Sequence, residues 1–300
     1  MSEKIVVIGA SGFVGTSVAK EFDDLDGEIV LLDLHPSTTS IKQFDMSSDS
    51  LECIVGKSSF TLVLLGAVSS HERCLSDVEL CFQYNIFAVV KIVNECRSLN
   101  CDQIIFASSE WVYPDKPTDA DNEYRPLRDW QYYAASPYSM SKAIDEIILN
   151  FAQLNKMRFK VAILRFGIIY GSRRYGGAVE NIAGQIFRKE ESIVVGNLDT
   201  ARNFVHVSDV AAGIRFSYEE SLEGTFDLTG KDEIRLRDLI EEAERISGHV
   251  VQVKLSHASA SVSRREASKL VPMPGFVCKV SLHQGLLDLY TSRLWDLEYE

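Results

Sequence analysis

The sequence KIVVIGASGFVG at residues 4–15 joins a short β-branched run to a loop that contains three glycines in the spacing G-x-x-G-x-x-G. Glycine permits a tight turn between a strand and a helix and lets backbone N–H groups approach a pyrophosphate closely. The positive end of the following helix then favours negative phosphate groups. We therefore predict a loop that binds the phosphates of a dinucleotide. The predicted contacts are Gly9, Ser11, Gly12, Phe13 and Val14.

Asp33 ends the second predicted strand, 18 residues after Gly15. A carboxylate at this place accepts hydrogen bonds from both ribose hydroxyls of an adenosine and repels a 2′-phosphate, which favours NAD over NADP. The alternative is an aspartate that only caps a turn. Leu34 follows Asp33 in the predicted cofactor site. Asp45 and Met46 are candidates for the adenine pocket, with an ordinary polar turn as the alternative.

Strand-like apolar runs alternate with longer amphipathic stretches through the first half of the chain. This alternation predicts an α/β fold, with a doubly wound parallel sheet that helices cover on both faces. The predicted strands are 4–8, 28–33, 61–65, 103–107 and 158–166, and the predicted helices are 12–24, 74–99 and 136–154. We assign 1–171 to a dinucleotide-binding domain, with 202–220 returning to it and a strand-helix unit at 204–218 rejoining the sheet. We assign 172–201 and 221–300 to a smaller substrate-binding region.

The composition is that of an ordinary globular protein. Of its 300 residues, 46% are hydrophobic and 25% are charged, which argues against disorder. A formal net charge of −12 disfavours nucleic-acid binding. The sequence shows no long apolar run and no signal-peptide pattern, so we expect no membrane span and a cytoplasmic location. Six cysteines without a C-x-x-C pair favour reduced, buried thiols, and no histidine or cysteine spacing indicates a metal site.

Tyr138 and Lys142 stand four residues apart in a predicted helix with Pro137 in its first turn. One helical turn places the phenol and the ammonium on the same face. A neighbouring ammonium stabilises a phenolate, so we expect the pKa of Tyr138 to be lowered from about 10. Such a tyrosine removes a hydroxyl proton while hydride leaves the same carbon. An exposed surface pair is the alternative interpretation of this spacing alone.

The sequence SSEWVY at residues 108–113 follows a predicted strand. The carboxyl ends of parallel strands face the ligand crevice of a doubly wound sheet. Ser109 is therefore placed to hydrogen-bond a reacting oxygen. A serine-rich turn without a catalytic role is the alternative.

Taken in order, these motifs resemble the extended short-chain dehydrogenase/reductase superfamily, in its NAD-dependent nucleotide-sugar epimerase/dehydratase family. The resemblance covers nearly the whole chain and implies a Rossmann-type fold, NAD as cofactor and a nucleotide-activated sugar as substrate. The further segments that carry it are Leu65-Gly66-Ala67, Asn85, residues 164–171 (LRFGIIYG) and residues 202–210 (RNFVHVSDV).

The resemblance also implies roles for individual residues. Tyr138 becomes the general base, Lys142 binds the nicotinamide ribose, and Ser109 assists. Arg202 meets the diphosphate of the substrate, with a surface arginine as the alternative. The residues expected near the cofactor are Leu65, Gly66, Ala67, Asn85, Tyr138 and Lys142, and those expected near the substrate are Ser69, Ser109, Glu110, Tyr138 and Arg202.

The family resemblance further implies a homodimer that packs through the predicted helices 74–99 and 136–154. The apolar residues of the second helix, such as Ile144, Ile147, Ile148 and Phe151, also fit a face buried within one chain. The sequence leaves these two possibilities open.

Three segments depart from the family pattern. Glu110-Trp111 occupy the places where dehydratases of the family usually carry Asp-Glu, and tryptophan cannot transfer protons. Epimerases tend to have small neutral residues at both places, so Glu110 either recognises a sugar group, acts as a second acid or base, or only lines the crevice. Ile168 replaces an asparagine that usually contacts the substrate. The loop 115–133 carries Trp130, Tyr132 and Tyr133, either as an aromatic rim over a sugar or as packing.

These observations lead to one function hypothesis with alternatives. The leading hypothesis is an NAD-dependent nucleotide-sugar epimerase that oxidises carbon 4 of the sugar transiently. The alternatives within the family are a dehydratase, a decarboxylase, and a net dehydrogenase or reductase. An alternative of another class is a protein that binds NAD without turnover.

Overall fold

The structure is a computed structural model that describes residues 4–113, 116–117, 136–155, 158–173, 176–256, 263–264 and 270–296. Trp130, Tyr132 and Tyr133, and with them the predicted aromatic rim, lie outside these ranges. The strands are β1 (Lys4–Ile8), β2 (Glu28–Asp33), β3 (Lys42–Gln43), β4 (Phe60–Leu64), β5 (Cys101–Ser109), β6 (Lys116–Pro117), β7 (Lys160–Phe166), β8 (Ile168–Tyr170), β9 (Ser192–Val195), β10 (Ala201–Arg202), β11 (Phe204–His206), β12 (Gly224–Leu228), β13 (Ile234–Arg235), β14 (Gln252–Leu255) and β15 (Ser263–Arg264).

The helices alternate with these strands. They are α1 (Phe13–Glu21), α2 (Glu52–Val55), α3 (His71–Ser76), α4 (Val78–Phe82), α5 (Ala88–Ser98), α6 (Pro137–Leu154), α7 (Ala178–Phe187), α8 (Val207–Glu219), α9 (Leu236–Ser247) and α10 (Leu282–Ser292). A π-helical turn covers Gln83–Phe87, and 3-10 turns cover Glu110–Val112 and Leu294–Asp296.

Seven parallel strands form the central sheet in the order β12-β7-β5-β4-β1-β2-β3. The chain order reverses at β1, because β2 lies on one side of it and β4 on the other. The loops that leave β1 and β4 therefore run to opposite faces of the sheet and open a crevice at its carboxyl edge. The predicted doubly wound, Rossmann-type α/β fold is confirmed.

The two faces of the sheet bury separate apolar layers. Val6 and Ile8 of β1 face a layer that α5 and α6 complete, whereas Ile5 and Val7 face a layer that α1 and α8 complete. Successive side chains of a strand point to opposite faces, so a strand covered on both faces is apolar at every position. This is why the apolar runs of the sequence predict the central strands well.

A third apolar cluster belongs to the C-terminal part of the chain. Helices α7, α9 and α10 pack around the parallel pair formed by β9 and β14. The substrate-binding role predicted for this region, like the boundaries proposed for the two regions, stays a prediction.

The structure corrects the expected position of the strand-helix unit at 204–218. Helix α8 does pack on the central sheet, but β11 pairs with β8 in a separate two-stranded sheet. Strand β12, which the proposed boundary placed in the smaller region, is an edge strand of the central sheet. The expected return of the strand to the main sheet is therefore wrong, and the next strand along the chain occupies the edge.

The predicted helix 74–99 is also interrupted. Asp77 has a non-helical backbone, with φ −141° and ψ 84°, and its side chain accepts a hydrogen bond from Leu80 N, so it ends α3 and begins α4. The π-helical turn then adds one residue to the helical repeat and shifts the face that follows it. A period of 3.6 residues read along the whole stretch misses both features. Within the described residues, no helix is long and apolar enough to cross a membrane.

We predict that Gly15→Ala destabilises the fold. A Cβ atom at Gly15 would lie 2.1 Å from Gly9 O and 2.7 Å from Ala10 Cα, so β1 and α1 would have to separate. We expect the free energy of unfolding to fall by about 3 kcal/mol, as for other overpacked sites. Urea titration followed by circular dichroism measures this change.

Gly12→Ala is the matched control in the same loop. Its backbone φ of −71° suits alanine, and the nearest atom to an added Cβ is Gly9 O at 3.3 Å. We expect a change below about 1 kcal/mol for this variant. Equal destabilisation by the two variants would contradict the close packing described here.

Candidate functional site

The glycine turn after β1 is held against the ends of its two neighbouring strands. Gly9 N and Ala10 N both donate to Leu32 O, at 2.9 and 3.1 Å, at the end of β2. Gly9 has a φ of +92°, and a Cβ atom there would lie 2.7 Å from Gly66 N after β4. The turn therefore requires glycine at position 9 for its backbone conformation and for its close contact with Gly66.

The start of α1 is suited to an anion. Gly12 is the N-cap residue, and no side chain caps the helix there. The first-turn N–H groups, which include those of Phe13 and Val14, have no intrahelical acceptor and carry the positive end of the helix dipole. The guanidinium of Arg173 lies 4.3 Å from the centre of the Phe13 ring. A pyrophosphate fits this turn, and its binding there would supply acceptors for these N–H groups.

Asp33 lies beside the glycine turn. Its Oδ2 accepts a hydrogen bond from Ser11 N at 2.9 Å, and its Oδ1 accepts one from His35 N at 2.9 Å. A carboxylate has about four acceptor sites, so both oxygens retain capacity for ribose hydroxyls. The turn-capping alternative and the predicted ribose contact are thus compatible. Leu34, the residue directly after β2, is half-buried.

The predicted adenine-pocket residues occupy two different settings. Met46 is buried, and its Sδ would lie 3.2 Å from a Cβ atom at Gly66, so it adjoins the loops at the strand ends. Asp45 accepts hydrogen bonds from Ser47 N and Ser47 Oγ, at 2.8 and 2.6 Å. Partial burial favours a higher pKa for Asp45, but these hydrogen bonds hold the pKa below its usual value. Asp45 therefore forms a polar turn, and its predicted contact with adenine stays a prediction.

Asn85 holds the loop that follows β4. It is fully buried on the π-helical turn, its Oδ1 accepts from Val68 N at 2.7 Å, and its Nδ2 donates to Val68 O at 3.1 Å. The same Nδ2 donates to Ser141 Oγ of α6 at 3.1 Å. Asn85 thus fixes this loop, which carries Leu65, Gly66, Ala67 and the exposed Ser69, relative to α6.

Helix α6 begins where the sequence predicts it to begin. Ser136 and Ser139 form a reciprocal capping box, with Ser139 N donating to Ser136 Oγ at 3.1 Å and Ser136 N donating to Ser139 Oγ at 3.0 Å. Tyr138 therefore lies in the first turn and hydrogen-bonds with Ser109 at the end of β5. Lys142 is one turn further on, is 3% exposed, and places Nζ 4.5 Å from the centre of the Phe106 ring.

The expected lowering of the Tyr138 pKa is wrong for the polypeptide by itself. Burial raises the pKa of Tyr138 to about 12, although the hydrogen bond with Ser109 acts in the opposite direction. Burial also lowers the pKa of Lys142, since removal from water disfavours its charged form. Desolvation is the largest influence on the pKa of both groups, and for Tyr138 it acts against the lowering that the spacing suggested.

A buried ion pair joins α6 to the sheet. Arg165 of β7 donates from Nε to Glu146 Oε1 at 2.9 Å and from Nη2 to Glu146 Oε2 at 2.6 Å. Ser108 Oγ donates to the same carboxylate at 2.5 Å. Tyr113 OH accepts from Arg165 Nη1 at 2.6 Å and donates to Asp227 of β12 at 2.9 Å. The network fixes the turn that bears Ser109 relative to the helix that bears Tyr138.

Sequence reasoning missed Glu146 and gave Arg165 no role. A signal was present, because Tyr138, Lys142 and Glu146 follow one another at intervals of four residues on one helix face. The partner of Glu146 lies 19 residues away on another element, so only the fold reveals the pair.

The residues that depart from the family pattern lie in different parts of the fold. Glu110 is buried in the 3-10 turn after β5, whereas Trp111 is 40% exposed and its ring centre lies 5.7 Å from that of His71. His71 was not predicted. Ile168 packs against the third apolar cluster, and Arg202 lies on β10 opposite Ile234. Arg202 and Ser69 thus lie on other elements than β5 and α6, which carry Ser109 and Tyr138.

The comparison with known proteins gives the family. A model of the NAD dependent epimerase/dehydratase family matches residues 5–228. The chain belongs to this family. The matched range contains the glycine turn, Asp33, Asn85, Ser109, Tyr138, Lys142 and Arg202, so the predicted family membership is confirmed, and NAD is the cofactor of this family.

Relatives of this epimerase/dehydratase family member carry related names. A Bacillus subtilis protein named as an uncharacterised UDP-glucose epimerase is 22% identical, over 98% of this chain and 100% of that protein. An Escherichia coli 4-epimerase of N-acetyl-glucosaminyl-diphospho-undecaprenol is 24% identical, over 82% of this chain and 72% of its own. The crystal structure of Thermus thermophilus UDP-glucose 4-epimerase with NAD has a TM-score of 0.77 at 21% identity, covering 96% of this chain and 98% of its own.

We predict that Glu146→Gln destabilises the protein by about 3–5 kcal/mol, because it leaves the Arg165 guanidinium buried without its counter-charge. Guanidinium titration at pH 7 measures the free energy of unfolding. Glu190→Gln is the matched control, since Glu190 pairs with Arg188 at 3.0 Å on the surface. We expect the control to change stability by less than about 1 kcal/mol. Similar losses in both variants would refute the importance of the buried pair.

Proposed function

We propose that the protein is an NAD-dependent nucleotide-sugar epimerase that works by transient oxidation at carbon 4 of the sugar. The observation that carries this proposal is the contact between Ser109 at the end of β5 and Tyr138 in the first turn of α6, one turn before the buried Lys142. These groups lie on the elements that border the carboxyl edge of the sheet, where the glycine turn and Asp33 suit a dinucleotide.

The residues of the chain have distinct tasks in this proposal. Tyr138 accepts the proton of the 4-hydroxyl, and Ser109 hydrogen-bonds the reacting oxygen and so orients it toward Tyr138. Lys142 supplies a positive charge one turn away, which opposes the effect of burial on the Tyr138 phenol. Bound NAD supplies reversible hydride transfer at the same carbon. Tyr138 returns the proton after the keto sugar has turned, so the cycle consumes no proton.

The residues after Ser109 favour epimerisation over elimination of water. Glu110 is followed by Trp111, whose indole packs beside His71 and offers no acid or base. The names of two relatives, one as an epimerase and one as a 4-epimerase, support the same reaction class. The proposal leaves open whether the substrate sugar is linked to a nucleotide or to another diphosphate carrier. One relative acts on a diphospho-undecaprenol sugar. In addition, Ile168 offers no side-chain hydrogen bond.

We predict that the purified protein with NAD interconverts 4-epimers within a panel of UDP-, GDP- and dTDP-sugars. Tyr138→Phe should lower kcat at least about 100-fold, because it removes the group that accepts the proton. It should leave NAD affinity nearly unchanged. Chromatography with mass spectrometry measures turnover, and calorimetry measures NAD binding. Tyr290→Phe, in the third apolar cluster, is the control and should retain full activity.

Other outcomes identify the alternatives. Release of NADH at steady state would indicate a net dehydrogenase, and accumulation of a dehydrated keto sugar would indicate a dehydratase. Loss of carbon dioxide from a sugar acid would indicate a decarboxylase. NAD binding without conversion of any sugar, together with a Tyr138→Phe variant that keeps its biological role, would refute the enzyme and favour a silent NAD-binding protein.

We also propose that the protein is a cytoplasmic homodimer. Four apolar side chains of α6 are exposed at intervals that place them on one helix face: Met140, Ile147, Phe151 and Leu154, with exposures of 38%, 48%, 61% and 76%. Phe87, 69% exposed on the adjacent π-helical turn, extends this apolar surface. A second copy of the chain is the partner that the family resemblance suggests for these helices. An uncovered apolar face of this kind marks an interaction site.

We predict that Phe151→Asp converts a dimer into a monomer, because a carboxylate cannot be buried in an apolar interface without large cost. Size-exclusion chromatography with light scattering measures the mass. Val250→Asp is the control, since Val250 is 80% exposed outside this surface. A wild-type protein that is monomeric at micromolar concentration, or a Phe151→Asp variant with unchanged mass, would overturn the proposed interface.

A further inference from the structure

Asp145 of α6 is a buried carboxylate without a hydrogen-bond partner. Its exposure is 0%, and within the described part of the chain neither Oδ1 nor Oδ2 accepts a hydrogen bond. Removing a carboxylate from water is costly unless hydrogen bonds or an opposite charge compensate it. The fold therefore keeps this carboxyl group near a compensating charge, or keeps it protonated.

Lys142 lies on the same helix, three residues before Asp145. Residues three apart on a helix are neighbours on its surface, so the two side chains leave α6 on the same side. Lys142 is 3% exposed, and its Nζ lies over the Phe106 ring and not in water. An ammonium that has lost its water also requires a negative partner.

The other carboxylate close to Lys142 is already compensated. Glu146 accepts two hydrogen bonds from Arg165 and one from Ser108, so its charge is balanced from β7 and β5. From the other side, α3 and α4 present the thiols of Cys74 and Cys81, both buried. Burial raises the pKa of Cys74 to about 12, which keeps this thiol uncharged. Among these groups, Asp145 is the one placed to balance Lys142.

We propose that Asp145 is a positioning residue, whose carboxylate is the buried counter-charge that keeps the Lys142 ammonium protonated beside Tyr138. This inference rests on the proposed function only in treating Tyr138 and Lys142 as the catalytic pair. Each charge alone is unfavourable at this depth, and each becomes favourable in the presence of the other.

Burial and charge act in opposite directions on the pKa values of this pair, and Asp145 carries its full negative charge only on the alkaline side of its own pKa. Burial raises the pKa of Asp145 to about 8, while Lys142 acts to lower it. Burial lowers the pKa of Lys142, while Asp145, Glu146, Cys81 and Cys74 act to raise it. Ionised Asp145 also raises the pKa of Tyr138, so its charge opposes premature ionisation of the phenol. The pair thus holds a positive charge near Tyr138 at little net charge.

The test is a titration of Lys142 in the NAD-bound protein, followed by NMR of 13C-labelled lysine side chains. Lys142→Met assigns the resonance. We expect Asp145→Asn to lower the midpoint of the Lys142 titration by about one pH unit or more, a tenfold loss in the ratio of protonated to neutral amine. Glu79→Gln removes an equal charge from the exposed face of α4 and should leave the midpoint unchanged.

Asp145→Ser is a second variant for the case in which asparagine disturbs the packing, since serine is smaller and equally uncharged. An unchanged Lys142 midpoint in either folded variant would overturn the proposal. A titration needs no sugar, so a shift without epimerase activity would refute the proposed function and keep this inference. Epimerase activity with an unchanged Lys142 midpoint would support the proposed function and refute this inference.

The same variants make a kinetic readout possible once a substrate is found. Because Lys142 loses its proton at lower pH without Asp145, kcat of Asp145→Asn should decline on the alkaline side at a lower pH than kcat of the wild type. Activity near pH 6 should stay within about threefold, as a positioning residue does not touch the reacting atoms. A uniform loss of kcat at every pH would indicate a merely structural role and overturn the proposal.

Discussion

The bidentate ion pair between Arg165 and Glu146 determines where α6 lies on the central sheet. It joins β7, the second strand from the β12 edge of the sheet, and the end of β5 to the helix that carries Tyr138 and Lys142. The network is buried, and a buried charge that loses its partner is costly. All of its hydrogen bonds are therefore favoured to form together, in one geometry. The positions of Ser109 and Tyr138 relative to each other follow from it, because Ser108 directly precedes Ser109 and Glu146 lies about two helical turns after Tyr138.

Burial dominates the electrostatics of the site. It raises the pKa of Tyr138 and lowers that of Lys142, which is opposite to what the Y-x-x-x-K spacing suggests when the two groups are considered alone. The chain answers this cost with paired charges: Arg165 with Glu146, and Lys142 with Asp145 in our proposal. A retained ammonium beside Tyr138 favours the phenolate form, which is the form that accepts the sugar proton and later returns it.

The central strands were predictable because a strand buried on both faces is apolar throughout. β1 and β2 begin and end at the predicted residues, where Gly9 and Asp33 interrupt the apolar runs. The interruption of 74–99 was not predictable from periodicity, since it depends on one capping side chain, Asp77, and on a π-helical insertion. The glycine turn and the pair Tyr138 and Lys142 follow from local spacing. The spacing of Glu146 on the helix was visible in the sequence, but its partner Arg165 lies on another element, and the burial of Asp145 is known only from the fold.

Helix α6 divides two tasks along its length. Its C-terminal part buries Leu149 and Ala152 in the apolar layer beneath the sheet, as any amphipathic helix does. Its N-terminal part buries Ser141, Lys142 and Asp145, polar residues that a helix selected only for packing would replace with apolar ones. The change from polar to apolar burial occurs where the helix leaves the carboxyl edge of the sheet. The apolar part therefore provides the stability that lets the polar part hold unfavourable charges next to the crevice. A single helix thus contributes both to folding and to the proposed function.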